Sequence, residues 1–513
     1  TTNQANFKSI PGCNIGYWVS EKVISIFEES EVLINTMDVR QGLATGNNDK
    51  FMRFWSEVNF YKMGLQISSI EDSILSRKKW FPYNKGGAAR KWYGNQEFVL
   101  NFDEEAQKKL SNQGNHLPSK RFYFQESISW GLITSNIPSF RYYPGGFLFD
   151  VAGMGVFGGS KKQRTELLGA LNTNLYNNIG KIINPTLNLQ AGNVAQFPYD
   201  DVGNEIVEEL VLQNISISKA EWDSRETSWD FKNNELIVKG KELIEEAYQA
   251  YQTFWTEQFY TLHRNEETLN KEFIEIYGLE EELNPEVPLE QITILKDEAS
   301  IINGELVFNA KEVMMQLISY GVGCLMGRYS LDKEGLILAN QGETLANYYA
   351  KVGKSPNEVK LQPDADGIIP VLEDDVFEND LNRQFETFLR ASFGVARLHD
   401  NLNYILGCLG RSSLGEYFAK DFYKDHIKRY KKRPIYWMLS SPKGAFRVLM
   451  YLHRYTPDTL NKVLNNYLHP YIQKLESEIE LQEELFIATS GAKKTTTGKR
   501  ISELKIKLEE SEG

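Results

Sequence analysis

A single change in the spacing of apolar residues limits what this chain can fold into. Through roughly the first two hundred residues they fall in short β-rich runs broken by Gly, Pro and Asn turns, as in FYF at Phe122 to Phe124 and GFLFDV at Gly146 to Val151. From Lys239 the spacing turns helical: Leu243, Ala247, Tyr251 and Trp255 recur at the interval that builds one helix face. Helices are expected from there to the end. The fold class is therefore α+β, a loop-rich α/β part followed by a mainly α-helical C-terminal region. At 513 residues the chain exceeds what one hydrophobic core organises. The expected division is a short leading segment over 1–40, a loop-rich α/β domain over 41–215, a helical region over 216–400 and a C-terminal helical region over 401–513.

Within the helical half, the apolar stretch Val313 to Met326 is too short to cross a bilayer and is expected to be a core helix, with Gly321, Gly323 and Gly327 allowing close packing. The polar stretch Glu280 to Glu290 is either a linker or an ordered surface loop. After Thr456-Pro457, Leu460, Leu464, Tyr467, Ile472, Leu475 and Ile479 continue a helical stripe past a kink at Pro470. A flexible GAKKTTTGKR loop is expected next, then a helix carrying Ile501, Leu504 and Leu508 whose apolar face looks unfinished. The chain opens at Thr1 without a leader pattern, and both ends look like cuts through a longer protein.

Several classes of chemistry lack their residues. Cys13, Cys324 and Cys408 lie far apart with no CxxC pair, which fits a reducing cytoplasm and neither a disulfide framework nor a zinc site. Cys13 is expected to be a buried small apolar residue rather than a nucleophile. No GxSxG elbow is present. Glu358 and Lys360 precede Pro363 and Asp364, the wrong order for a metal-dependent nuclease, so the PDADGIIPVLEDD segment is expected to be a solvated acidic loop. The glycines of FDVAGMGVFGG, Phe149 to Gly159, follow a strand, but no helix pattern or ribose-binding acid comes after them, and they are expected to be turns. An NPPY-like tetrapeptide for amino-methyl transfer is absent, and no metal, cofactor or catalytic residue is expected on this chain.

Three segments instead point to nucleic acid. In GLATGNNDKFMRFWSEV, Gly42 to Val58, a turn rich in hydroxyl and amide groups leads into an expected amphipathic helix, and amides at such a turn can hold a phosphate, although an ordinary loop with a helix cap would explain the same residues. In RKKWFPYNKGGAARKWYG, from Arg77, six basic residues and no acid alternate with Trp80, Phe81, Tyr83, Trp92 and Tyr93. Cations of that kind pair with phosphates while rings stack beside bases, and the alternative is a solvated basic hairpin with half-buried aromatics. In KDHIKRYKKRPIYW, Lys424 to Trp437, six basic residues face one acid, which a solvated helix face would also explain. The net charge of −12 opposes DNA binding in bulk. The charge is segregated, however: Glu373 to Asp380 alone carries five acids in eight positions.

With ANFKSIPGCNIGYWVSE, INPTLNLQAGNVAQFP, EWDSRETSWDF, SYGVGCLMGRYSLDKEGLILA, DGIIPVLEDD and the run from YKDHIKRYKKRPIYW to HRYTPDTL, these segments resemble the PglX methyltransferases of BREX phage-defence systems. More distantly they resemble fused restriction-methylation enzymes. The resemblance covers nearly the whole chain. It implies a parent enzyme that moves a methyl group from S-adenosylmethionine to N6 of adenine in DNA, with this chain as its target-recognition and C-terminal portion, lacking the catalytic domain: 1–40 would be the join from that domain and 41–215 the target-recognition domain. It further implies double-stranded DNA, the parent's own catalytic domain, other BREX proteins and phage DNA-mimic inhibitors as partners, a cytoplasmic location and no membrane. By that analogy Thr45, Gly46 and Asn47 would lie beside the flipped base's backbone, and Arg53 would be a further DNA contact. Lys78, Lys79, Lys85, Arg90 and Lys91 would hold phosphates or read guanines, Trp80, Tyr83 and Trp92 would stack on or wedge beside bases, Lys161, Lys162 and Arg164 would extend the track, and Arg141 would reach a base edge. The main rival is a protein-interaction scaffold whose acidic helical half binds other defence proteins. The C-terminal half of a fused restriction-methylation enzyme is the other alternative.

Overall fold

The computed structural model describes residues 19–112, 117–133, 137–201, 203–372 and 377–513. Cys13 lies outside them. They form two compact units, each assembled from separated stretches of chain. The first joins the described residues up to Ser228 with Gln252–Phe308, and the second joins Trp229–Tyr251 with Asn309–Gly513. Mixed α and β structure with small sheets and a helical C-terminal part matches the expected α+β class. Among the described residues no helix is long and apolar enough to cross a membrane.

The first unit is built on two four-stranded sheets. In one, Phe98–Asn101 lies between Met52–Phe54 and Trp80–Asn84, antiparallel to both, and Leu148–Phe149 runs parallel beside Trp80–Asn84. In the other, the order is Asp38–Arg40, Gly155–Phe157, Ser127–Ser129, Arg141–Tyr143, antiparallel throughout. Aromatic side chains fill the core. Phe81 meets Phe102 edge-on at 6.4 Å, and Tyr123 meets Phe149 at 5.6 Å and 89°, geometries that set a positive ring edge against a negative ring face. Gly42 is needed here, since a Cβ on it would lie 1.9 Å from the Phe149 carbonyl oxygen.

Local expectations fare unevenly in this unit. The helix expected after the TGNN turn shrinks to Asn48–Phe51, because Met52–Phe54 is recruited as a strand by Phe98–Asn101. A helix, Lys161–Leu171, does follow the Phe149 to Gly159 glycines, contrary to expectation. The strand before it, Gly155–Phe157, is nevertheless antiparallel to both neighbours, so the parallel strand-turn-helix of a dinucleotide site is not formed. The Glu280 to Glu290 stretch is an ordered loop inside the unit: Asn270 donates to the Pro285 carbonyl at 2.9 Å and His263 Nε2 lies 2.7 Å from the Val287 carbonyl.

In the second unit Ala310–Leu325 is the expected core helix, buried from Val313 to Leu325 save Gln316. A Cβ at Gly321 would lie 2.7 Å from the Phe385 ring and one at Gly323 would lie 2.5 Å from the Tyr329 ring, so the glycines do serve close packing. The acidic PDADG stretch is not solvated. Asp364 is buried, and its Oδ1 accepts the Gly367 N–H at 2.8 Å, fixing the turn into the Ile368–Pro370 strand of a three-stranded antiparallel sheet. Glu373 to Val376 lie outside the described residues.

Near the C-terminus a π-helical segment, Val463–Leu468, precedes the helix His469–Ala488 and absorbs Pro470, which has no N–H to donate. The buried face becomes Val463, Tyr467, Tyr471, Leu475 and Ile479, leaving Leu460 and Leu464 exposed, contrary to the expected stripe. The GAKKTTTGKR run is helical too. It begins the helix Gly491–Glu512, and the break falls at Thr489 and Ser490.

Candidate nucleic-acid interface

The basic-aromatic run that carried the sequence argument is mostly turned inward, in the first unit. Lys85 Nζ lies 2.6 Å from Asp150, a buried carboxylate that also accepts the Tyr83 hydroxyl. Burial and that carboxylate hold the Tyr83 phenol well above its usual range. Arg90 pairs with Glu221, donates from Nε to the Tyr93 carbonyl at 2.7 Å and stacks its guanidinium 5.0 Å from the Trp222 ring centroid. Burial raises the Glu221 carboxyl, but Arg90 and Arg225 outweigh it and hold it below the usual carboxylate range. Lys91 Nζ and Trp92 Nε1 share one carboxylate, Glu266, at 2.6 and 2.7 Å.

Arg141 is wholly buried, donating to the Gly86 carbonyl at 2.7 Å and the Arg90 carbonyl at 3.1 Å. It clamps the loop from within. Tyr83, Lys91, Trp92 and Arg141 are therefore buried structural groups and offer nothing to a groove in this conformation, while Lys85 and Arg90 are neutralised by acids. The physical reason is common to all: a cation taken out of water needs a carboxylate or carbonyl, and the fold supplies one each time.

The other proposed contacts divide. Thr45 is buried and donates to the Asn48 side chain at 2.5 Å, and Asn47 accepts the Lys50 N–H at 3.0 Å, so this turn caps its own short helix; Gly46, with φ +64°, is exposed. Arg53 donates to the carbonyls of Asp49 and Met52, and Arg164 donates to Gly158 and Gly159, 2.8 Å each, and pairs with Glu126. Lys161 is exposed and Lys162 half-buried near Glu166.

What the structure does bring together is a smaller patch. Lys79 N–H donates to the Lys62 carbonyl at 3.0 Å, Lys78 Nζ donates to the Tyr61 carbonyl, and Met63 bridges to Trp80. Lys62 sits 5.8 Å from the Tyr61 ring centroid and Lys79 5.6 Å from that of Trp80. The neighbouring Glu105 carboxyl is lowered first by Lys109 and in part by Lys50 and Lys79, which places those two on the same edge. Lys50, Lys62, Arg77 and Lys79 are exposed and make no ion pair among the described residues. Lys50, Tyr61 and Lys62 were not singled out in the sequence. The pairing of Met63 with Trp80 and the bond from the Lys79 N–H to the Lys62 carbonyl set Lys62 beside Lys79, and no spacing rule anticipates them. Cations over an exposed ring such as Tyr61 and a half-buried one such as Trp80 can meet phosphates with their charge and sugars or bases with the open ring face.

Two curated relatives match the chain. An adenine-specific methyltransferase PglX from Lacticaseibacillus casei (strain Zhang) is 35% identical over 501 residues, 93% of this chain and 40% of that protein. An adenine-specific methyltransferase BrxX from Escherichia coli O9:H4 (strain HS) is 35% identical over 510 residues, 96% of this chain and 41% of that protein. The chain thus spans about two-fifths of the length of these relatives. No family model matches it.

Proposed function

Because this chain belongs by sequence with the PglX and BrxX adenine-specific methyltransferases, we propose that it is the DNA-recognition portion of an S-adenosylmethionine-dependent adenine-N6 methyltransferase of BREX phage defence. The observation that carries the reading is the patch of Lys62, Lys78 and Lys79 around Tyr61 and Trp80, whose cations make no ion pair among the described residues, on a unit whose other central cations are paired inward. Exposed cations attract the phosphate backbone at any sequence, and loops beside them reach base edges in a groove. Cofactor binding, base flipping and methyl transfer are assigned to the part of the parent that this chain does not span, and no residue here is given a catalytic role. Double-stranded DNA and the parent's own catalytic portion are the proposed partners. Other BREX proteins and phage DNA-mimic inhibitors would meet the same charged surface, in the cytoplasm.

Fluorescence anisotropy of the chain with a duplex over a range of salt concentrations tests this reading. Three phosphate contacts contribute a slope of about −2.7 in log affinity against log salt. The Lys62→Ala/Lys78→Ala/Lys79→Ala variant is therefore expected to bind roughly 10-fold or more weakly at low salt, with a slope shallower by about 2 to 3, and an unchanged melting temperature. Affinity and slope equal to those of the parent chain would overturn the assignment of the patch.

A further inference from the structure

We infer that the second unit carries its own nucleic-acid contact, formed by the basic turn at Lys424 to Arg433 and the exposed edge strand Tyr436–Ser440. The inference rests on the DNA reading above but uses residues outside the first unit. The helix Tyr423–Arg429 ends in a turn where Lys431 and Lys432 both take left-handed backbone, φ +49° and +66°. Side chains other than Gly or Asn adopt that conformation at a cost, and strain of this kind collects at functional sites. The turn is firmly held: Lys432 N–H donates to the Ile427 carbonyl at 2.8 Å and Arg433 N–H to the Tyr430 carbonyl at 2.8 Å. Beneath it, His426 Nε2 accepts the N–H groups of Ile435 and Tyr436 and so fixes the return into the edge strand.

The charge here is disposed oppositely to that of the Lys85 to Trp92 loop. Lys424, Lys428, Lys432 and Arg433 are exposed and make no ion pair among the described residues. The one acid of the stretch, Asp425, is taken inward by the Tyr417 hydroxyl at 2.9 Å, and Arg429 lies 3.4 Å from Glu312. Four residues after Arg433, within reach of about 14 Å of extended chain, Trp437 stands 40% exposed on the outer strand of the sheet. Point charges beside an accessible indole suit a phosphate backbone with its sugars or unpaired bases. Three of these four cations are lysines, point charges without a bidentate fork, which favours contact without sequence preference.

The test uses duplex DNA of arbitrary sequence and, separately, vesicles of anionic phospholipid. Lys428→Ala/Lys432→Ala/Arg433→Ala is expected to weaken duplex binding at least 10-fold and to flatten the salt slope by about 2 to 3. Lys432→Gly separates charge from structure, because glycine relieves the left-handed backbone: it is expected to bind DNA more weakly while melting at an equal or higher temperature. A triple variant with unchanged slope, in a chain whose binding still responds to Lys62, Lys78 and Lys79, would overturn the second contact and leave the DNA reading intact. A parent chain that ignores duplex at low salt would overturn both. Loss of vesicle binding with DNA binding unaffected would overturn the inference in favour of a membrane surface.

Discussion

Replacing Glu266 with alanine is expected to destabilise the first unit by about 3–5 kcal/mol, because it strands a buried ammonium. Lys91 and Glu266 side chains are only 5% and 2% exposed, so neither can recover its hydration in place, and Trp92 Nε1 loses its acceptor in the same step. The damage extends along the loop, whose carbonyls at Gly86 and Arg90 are held by Arg141. Thermal unfolding should show a fall of roughly 10 °C in the transition of this unit. Lys91→Met combined with Glu266→Gln should recover much of the loss, since an uncharged pair leaves no isolated ion. A loss below about 1 kcal/mol for Glu266→Ala would mean that water reaches Lys91 and that the buried pair does not hold the loop.

The second unit is expected to lose stability on mild acidification through His426. Burial, then the positive Arg429 and Arg328, pull this imidazole down from 6.5 to about 3. Its Nε2 lone pair already accepts two main-chain N–H groups, so a proton there would displace both. With the folded value depressed, the unfolded chain takes up a proton below pH 6.5 and the folded chain does not. The contribution is complete above that pH and falls by about 1.4 kcal/mol per unit until pH approaches 3. At pH 5 the deficit is about 2 kcal/mol. Urea unfolding at pH 7 and pH 5, followed by hydrogen exchange at Ile435 and Tyr436, measures it. His426→Gln should reduce the difference between the two pH values by that amount, and an equal difference in both proteins would refute the assignment.

Much of the fold was legible because it depends on neighbours in sequence. The helical spacing of Ala247, Tyr251 and Trp255 lies within the helix Ile244–Ile276, and the apolar Val313 to Met326 run marks the buried Ala310–Leu325 helix. Where long-range pairing competes with local preference, the sequence misled. Asn48–Phe51 stops early because Phe98–Asn101 recruits the next three residues, and the Asp364 turn is buried because Ile368–Pro370 pairs with Arg447–Tyr451. The π-helical segment moved the buried face of the C-terminal helix by its extra residue per turn, which a regular 3.6 spacing cannot register.

The sequence by itself determined the α+β class, the relationship to adenine-specific methyltransferases and the presence of two basic, aromatic-rich stretches. Only the tertiary structure decided which of their charges are available. Asp150, Glu221 and Glu266 lie 65, 131 and 175 residues from Lys85, Arg90 and Lys91, and no local pattern signals that they will meet. An ion's behaviour depends on what replaces its water, and that replacement is supplied from across the fold. The stretch with acids brought to it became the interior of a unit, whereas Lys62 and Lys79 beside Tyr61 and Trp80, which make no ion pair among the described residues, were left facing solvent.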